Sequence, residues 1–207
     1  MDIKETVKDY AKLYRKALAA ANIPDTGAER AAYEKRLREM YASDSFERYS
    51  SCPTTDASHV YAVIAMCLEL KRFDLSEPRI IDVINSGFRA RRDFFRRLLR
   101  CIDLLPNAYR IAGGWITAEH DRRVKDGSLT FDYFTVSEGK VEYCISRCVY
   151  IEMFEQYGIR SLCRLFCMTD TTAYENLPKH VRFIRHSALS DGSCCHDEII
   201  DKRRIEG

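Results

Sequence analysis

The sequence predicts an α+β fold, with a helical N-terminal half packed on a small antiparallel sheet formed by the C-terminal half. Three observations predict it. Apolar residues recur at helical spacing from Ile3 to Ile102. From Leu129 the pattern changes to alternation, LTFDYFTV and then VEYCISRCV, joined by the turn-like Ser137-Glu138-Gly139-Lys140, which is a hairpin signal. Two further stretches, VRFIRH and CCHDEII, flank the small-residue turn SALSDGS and read as a second pair of strands. Helices first and strands later is the order of an α+β domain rather than of alternating βαβ units.

The 207 residues are enough for one sizeable core, and the expectation is a single domain, 1–207, with 1–128 mainly helical and 129–207 the α+β part that carries the site. Hydrophobic residues make up 46% and charged residues 31%, an ordinary soluble composition. The formal net charge of +2 exerts no bulk pull toward nucleic acid or membrane. No apolar run approaches the roughly 18 residues that a spanning helix needs. The opening segment MDIKETVKDYAKLYRKAL is amphipathic and mixed in charge, with no apolar signal core, so a cytoplasmic location is expected. Nine cysteines in a reducing compartment read as thiols or ligands rather than a disulfide framework, and their odd number leaves at least one unpaired.

In order along the chain, Val7, Tyr10, Ala11, Tyr14 and Leu18 mark a first helix over 3–22, ended at Ile23-Pro24-Asp25. Thr26 with Glu29 fits a capping box that opens a second helix to about Tyr41. Residues 42–55 read as polar and irregular. Asp56 caps a third helix through Val60, Ile64, Cys67 and Leu68. Ser76-Glu77-Pro78 opens a fourth, since proline suits a first turn whose N–H has no partner anyway. A break near Gly87 is expected, with Phe88, Phe95, Leu98, Leu99 and Ile102 facing the core and Arg89, Arg92, Arg96 and Arg100 lining a solvated face. That arginine stripe could also meet phosphates, but no nucleic-acid motif accompanies it. Gly113-Gly114-Trp115 suggests a turn, a packed loop or a pocket wall, with Trp115 either a packing anchor or a ligand contact. A helix with an irregularity at Gly158 is expected over much of 150–168, and a loop at Pro178.

The stretch from Glu142 to Asp197 holds six of the nine cysteines together with Asp170, Arg185, His186 and His196. Cys144 and Cys148 are neighbours whether the segment is strand or helix, and Cys163 and Cys167 are neighbours on a helix with Asp170 three residues on. Three readings of the cysteines stand side by side. A thiolate is a strong nucleophile once a cation or helix terminus lowers its pKa. Cys, His and Asp could instead hold a divalent metal, although Cys-x3-Cys inside a regular element is not the usual zinc knuckle. Free cysteine also simply packs as a small hydrophobe. Arg185 lies in an apolar strand and needs a partner. That partner is a carboxylate such as Asp170 in a structural pair, or the carboxylate of a substrate gripped bidentately.

The ordered set Cys148, Gly158, Phe166-Cys167-x-x-Asp170, Phe183-x-Arg185, a turn with Gly192, and Cys195 resembles the L-2-amino-thiazoline-4-carboxylic acid hydrolase family. The resemblance covers roughly Phe131 to Ile200. The family's closing cysteine is commonly followed by Asp and an aromatic residue, whereas Cys195 is followed by His196 and Asp197. The resemblance implies hydrolytic opening of a small cyclic C=N compound: a thiazoline, imine or amidine-like ring. Cys167, Asp170, Cys195 and His196 would then be the catalytic group, with Arg185, Cys148 and Trp115 binding substrate. No metal ligand is assigned and the cofactor is left unknown. The implied partner is a small molecule carrying a carboxylate, with neither nucleic acid nor membrane, and a homo-oligomer is left open. The alternative is a non-catalytic metal- or thiol-based binding or sensing module on the same fold.

Overall fold

The structure, a computed structural model, describes residues 3–52, 55–174, 177–192 and 194–204. The side chains of Ile3, Ala90, Arg91, Thr169, Asp170 and Ala173 fall outside that description. The chain forms two compact units, Met1–Ala90 and Arg91–Gly207.

The first unit holds α1 (Ile3–Ala20), α2 (Ala28–Tyr41), α3 (Asp44–Ser50), α4 (Ala57–Leu70) and the first half of α5 (Glu77–Asp103). Its centre is α4, AVIAMCLEL in its second half, apolar except for Glu69 and buried except for the partly exposed Leu68. Around it Tyr14 stacks on Tyr33 at 4.5 Å, and the Tyr33 and Tyr41 hydroxyls donate to the Ala62 and Ser58 carbonyls. Buried Glu69 accepts from Arg36 and Arg72, so its charge is paired rather than stranded. The caps follow their local signals. Glu29 accepts from the Thr26 N–H and hydroxyl ahead of α2, and Asp56 accepts the His59 N–H at the start of α4. Residues 42–55, expected to be irregular, contain α3 instead. Ser43 caps it by accepting the Phe46 N–H, and Phe46 and Tyr49 are buried.

Helix α5 runs unbroken through Gly87, contrary to the expected interruption. Its buried positions also differ from the expected set. Phe88 and Leu99 are buried as expected, but Phe95 is 38% and Leu98 43% exposed, while Arg92 is only 7% exposed. Phe88, Arg92, Phe95 and Leu99 follow one another at four, three and four residues and share one helical face, from which Leu98 is turned away; Phe95 lies on that face and is nonetheless partly exposed.

The second unit continues with α6 (Ala108–Lys125), β1 (Leu129–Val136), β2 (Lys140–Cys148), α7 (Val149–Glu155), α8 (Arg164–Tyr174), β3 (Val181–Ser187) and β4 (Cys195–Asp201). The strands form one antiparallel sheet in the order β1-β2-β4-β3. The expected hairpin and returning strands are all present, and the predicted α+β class is the observed one. The expected turn or loop at Gly113-Gly114 is instead the middle of α6. Two central glycines cost a helix about 1 kcal/mol each. Burial of Ala108, Tyr109 and Ala112 against Val141, Tyr143, Val181 and Ile199 outweighs that. The helix expected over 150–168 is two helices. Gly158 turns the chain with φ of 65°, a conformation that favours glycine, and a 3-10 turn at Arg160–Cys163 leads into α8.

The pleat sorts side chains onto two faces. Val141, Tyr143, Cys195, Asp197 and Ile199 share one, buried face, while Glu142, His196 and Glu198 alternate onto the other. Asp103, fully buried at the end of α5, accepts the backbone N–H groups of Lys179, His180 and Val181 at 2.6, 3.0 and 2.7 Å. It therefore ties a helix end to the first residue of β3. Replacing Asp103 by Ala leaves those donors without it, and we expect a loss of about 3 kcal/mol, read as a fall in the urea midpoint. Asp103→Asn, which keeps one acceptor oxygen, should fall between; an Ala variant as stable as the parent would contradict this role.

Candidate functional site

On β4, Cys195 and Asp197 point to the same face because they are two residues apart. Strand register places Tyr143 of β2 on one side of Asp197 and Arg185 of β3 on the other. All three close on one carboxylate. Arg185 Nε donates to Oδ1 at 2.8 Å and Nη2 to Oδ2 at 2.7 Å, a bidentate pair. The Tyr143 hydroxyl donates to Oδ2 at 3.1 Å, and the Cys195 thiol lies 3.6 Å from the same oxygen. Asp197 is 1% exposed, so these donors replace the water that its charge has lost. Arg185 also reaches α8, where its Nη1 donates to the Cys167 carbonyl at 2.7 Å and to Thr171 Oγ1 at 3.3 Å. Three strands and a helix meet at this group.

The thiols at and near it are shifted toward the neutral form. Burial, and next the Asp197 charge, push the Cys195 thiol well up. A hydrogen bond with Cys167, then burial, does the same for Cys163. Burial raises Cys148, with the neighbouring Cys167 adding to it. For each of these three thiols the net effect favours the neutral form.

Of the residues singled out in the sequence, Cys167, Arg185, Cys195 and Cys148 therefore come together. Asp170 lies in α8 one turn beyond Cys167, and its side chain is outside the described residues. Among the described residues the carboxylate that pairs with Arg185 is Asp197. His196 is not in the group; it alternates to the other face of the sheet, 3.1 Å from Glu142. Trp115 is 48% exposed on α6, which is not the burial of a packing anchor. A groove of about 1200 Å³ opens along α6 and the far end of the sheet, lined by Tyr109, Gly113, Val141, Asp201 and Arg203 and by none of the predicted site residues. Sequence reasoning left Asp197 out of the candidate site residues, although it closes the stretch that holds them. The available signal was its two-residue step from Cys195 on a strand that must lie beside the Arg185 strand.

Arg92 is a second residue that the sequence reading misplaced. Its Nη2 donates to the Leu165 carbonyl at 2.9 Å, at the start of α8 and two residues before Cys167. Its Nε is buried without a hydrogen-bond partner, and burial lowers its pKa. A buried guanidinium in that state is a costly feature unless an anion joins it.

The fold and the group around Asp197 define a small α+β protein with a thiol-lined, carboxylate-centred site. The family model for L-2-amino-thiazoline-4-carboxylic acid hydrolase matches residues 83–197, which span α5 to β4 and include every member of that group. The chain belongs to this family. The family's name is that of a hydrolase, and hydrolytic chemistry is the coarse assignment that the match supports. No curated protein matches the chain. Among solved structures, the Fe(II) unliganded H-NOX protein from K. algicida is similar over 83% of this chain and 95% of its own, at 11% identity and a TM-score of 0.32, a level that carries no functional weight. No helix among the described residues is long and apolar enough to cross a membrane.

The neutral thiols give a pH dependence. Cys144 is pushed up to about 12, from an ordinary value near 9, by burial first and then by its hydrogen bond with Cys194. A thiol raised on folding contributes stability that is complete below its unfolded pKa and is lost as pH rises through the folded one. The urea midpoint, measured with reductant present, should therefore hold steady below about pH 9 and decline from there toward about pH 12. A midpoint unchanged across that interval would count against the protonated, buried thiols.

Proposed function

We propose that the chain hydrolyses a small cyclic C=N substrate of the thiazoline, imine or amidine type that carries a carboxylate. The observation that supports this reading is the meeting of Cys167, Arg185, Asp197 and Cys195 from α8, β3 and β4, within the span that the family match covers. In the thiazoline case the net reaction adds one water. A new bond forms to the C=N carbon, the ring nitrogen takes a proton, and the carbon–sulfur bond breaks so that sulfur leaves as a thiol. The product is a carbamoyl-cysteine, and nothing is oxidised or reduced.

In this reading Cys167 is the nucleophile that first attacks the electrophilic carbon, and water then releases the product. Asp197 holds the Cys195 thiol and the Tyr143 hydroxyl as proton donors beside it. Asp170 stays the candidate base one turn from Cys167. Arg185 positions Asp197 and the Cys167 backbone. The substrate carboxylate then goes to Arg92, whose buried charge has no carboxylate partner among the described residues and which already reaches the start of α8.

Turnover is followed as release of free thiol from L-2-amino-thiazoline-4-carboxylate. Cys167→Ala should lower kcat by roughly a hundredfold or more while leaving the unfolding midpoint nearly unchanged. Full turnover in that variant removes Cys167 from the mechanism. Absence of turnover in the parent on this and related cyclic amidines favours the binding-module alternative. Arg92→Met should raise KM about tenfold with kcat within a few-fold, the pattern of a lost ground-state contact. Equal KM values would take the carboxylate away from Arg92.

A further inference from the structure

The outward face of the sheet carries a second set of functional side chains, and the hydrolase reading uses none of them. Register sets Glu142 of β2 opposite Glu198 of β4, and His196 is two residues from Glu198 on the same face. His186 joins them through an irregularity. The β3–β4 pairing shifts between Arg185 and Ser187, leaving His186 as the extra residue of a bulge. The shift brings the His186 ring onto that of His196, stacked at 4.5 Å and 29°. His186 Nε2 stands 3.5 Å from Glu198 Oε2, and His196 Nε2 stands 3.1 Å from Glu142 Oε1. One donor atom from each of His186, His196 and Glu198 lies within 4.8 Å of the others.

The charge at this place is already arranged around a cation. Glu142 and Glu198 are brought together by register, and like charges directly opposite on neighbouring strands repel. The Lys140 ammonium sits between them, 2.5 Å from Glu142 and 3.5 Å from Glu198. A flexible lysine on the rim of the group can swing into solvent, since its side chain is 42% exposed. Imidazole is a common ligand of divalent first-row ions. Two imidazoles with carboxylates suit zinc or another divalent first-row ion. Calcium and magnesium prefer all-oxygen shells, and copper(I) prefers sulfur.

We propose that His186, His196 and Glu198 form a binding site for a divalent first-row transition ion, with Glu142 as the fourth ligand and Lys140 as the charge that the ion displaces. The site lies on the sheet face opposite Asp197, so it stands or falls separately from the hydrolase reading.

Cobalt(II) is the probe, because nine cysteines compete for any soft metal and cobalt reports its ligands by absorption. Titration of the full chain under reducing conditions should show one equivalent bound with d–d bands and no sulfur-to-metal charge transfer. His186→Ala and His196→Ala should each weaken binding about tenfold or more, with unchanged circular dichroism. Lys140→Met should tighten it several-fold, a gain that misfolding cannot mimic. Zinc should compete the cobalt away. A charge-transfer band that persists in both histidine variants assigns the metal to thiols and overturns the proposal. So does the lack of saturable binding in both the parent and Lys140→Met.

Discussion

The pair formed by Arg185 and Asp197 is the constraint on which the C-terminal unit is built. A carboxylate that is 1% exposed has lost its water, and its charge must be met by fixed donors in a fixed place. Arg185 meets it with two parallel N–H bonds, which hold β3 and β4 in a single register, and Tyr143 adds β2. Removing one partner of a buried pair strands the other charge, at a cost on the order of 3–5 kcal/mol. A one-residue slip of either strand would do the same, because it would send one of the two side chains to the opposite face. The third arm of Arg185, on the Cys167 carbonyl, makes α8 part of the same unit, so a candidate nucleophile is positioned by the interaction that sets the sheet.

The pleat explains why one short stretch of β4 serves two chemistries. Cys195 and Asp197 face the buried thiols and Arg185; His196 and Glu198, one residue offset, face Glu142, Lys140 and His186. The buried face is poor in water and favours neutral thiols, and beside Cys195 the charge is held in the hydrogen-bonded pair of Arg185 and Asp197. The other face is partly open, so imidazoles and carboxylates gather there with the Lys140 ammonium between the two glutamates. The same strand thus presents a dry face suited to nucleophilic chemistry and a wetter one suited to a cation.

Much of the architecture was legible because it rests on local rules. Alternation in LTFDYFTV and VEYCISRCV reports a pleated, half-buried surface, and Asp56 and the Thr26–Glu29 pair cap the helices that they precede. The ordered residues from Cys148 to Cys195 were enough to indicate the family to which the chain belongs. They also indicated that Cys167, Arg185 and Cys195 should be close. What misled was always a preference of residue type set against a position. Gly113 and Gly114 read as a turn, yet α6 continues because its small residues pack on the sheet. Arg92 read as solvent-facing because arginine usually is, and Phe95 as buried because phenylalanine usually is.

By itself, then, the sequence determined the class of fold, the order of helices and strands, and the short list of residues that carry chemistry. Spacing and turn residues act over a few positions, and each signal is complete within its own segment. Only the tertiary structure decided that Asp197 rather than its neighbour His196 faces Arg185, and that a bulge at His186 lines up two imidazoles. It alone placed Arg92 beneath the start of α8. Those outcomes depend on strand register and on contacts between residues tens of positions apart, and a one-residue shift in pairing reverses them.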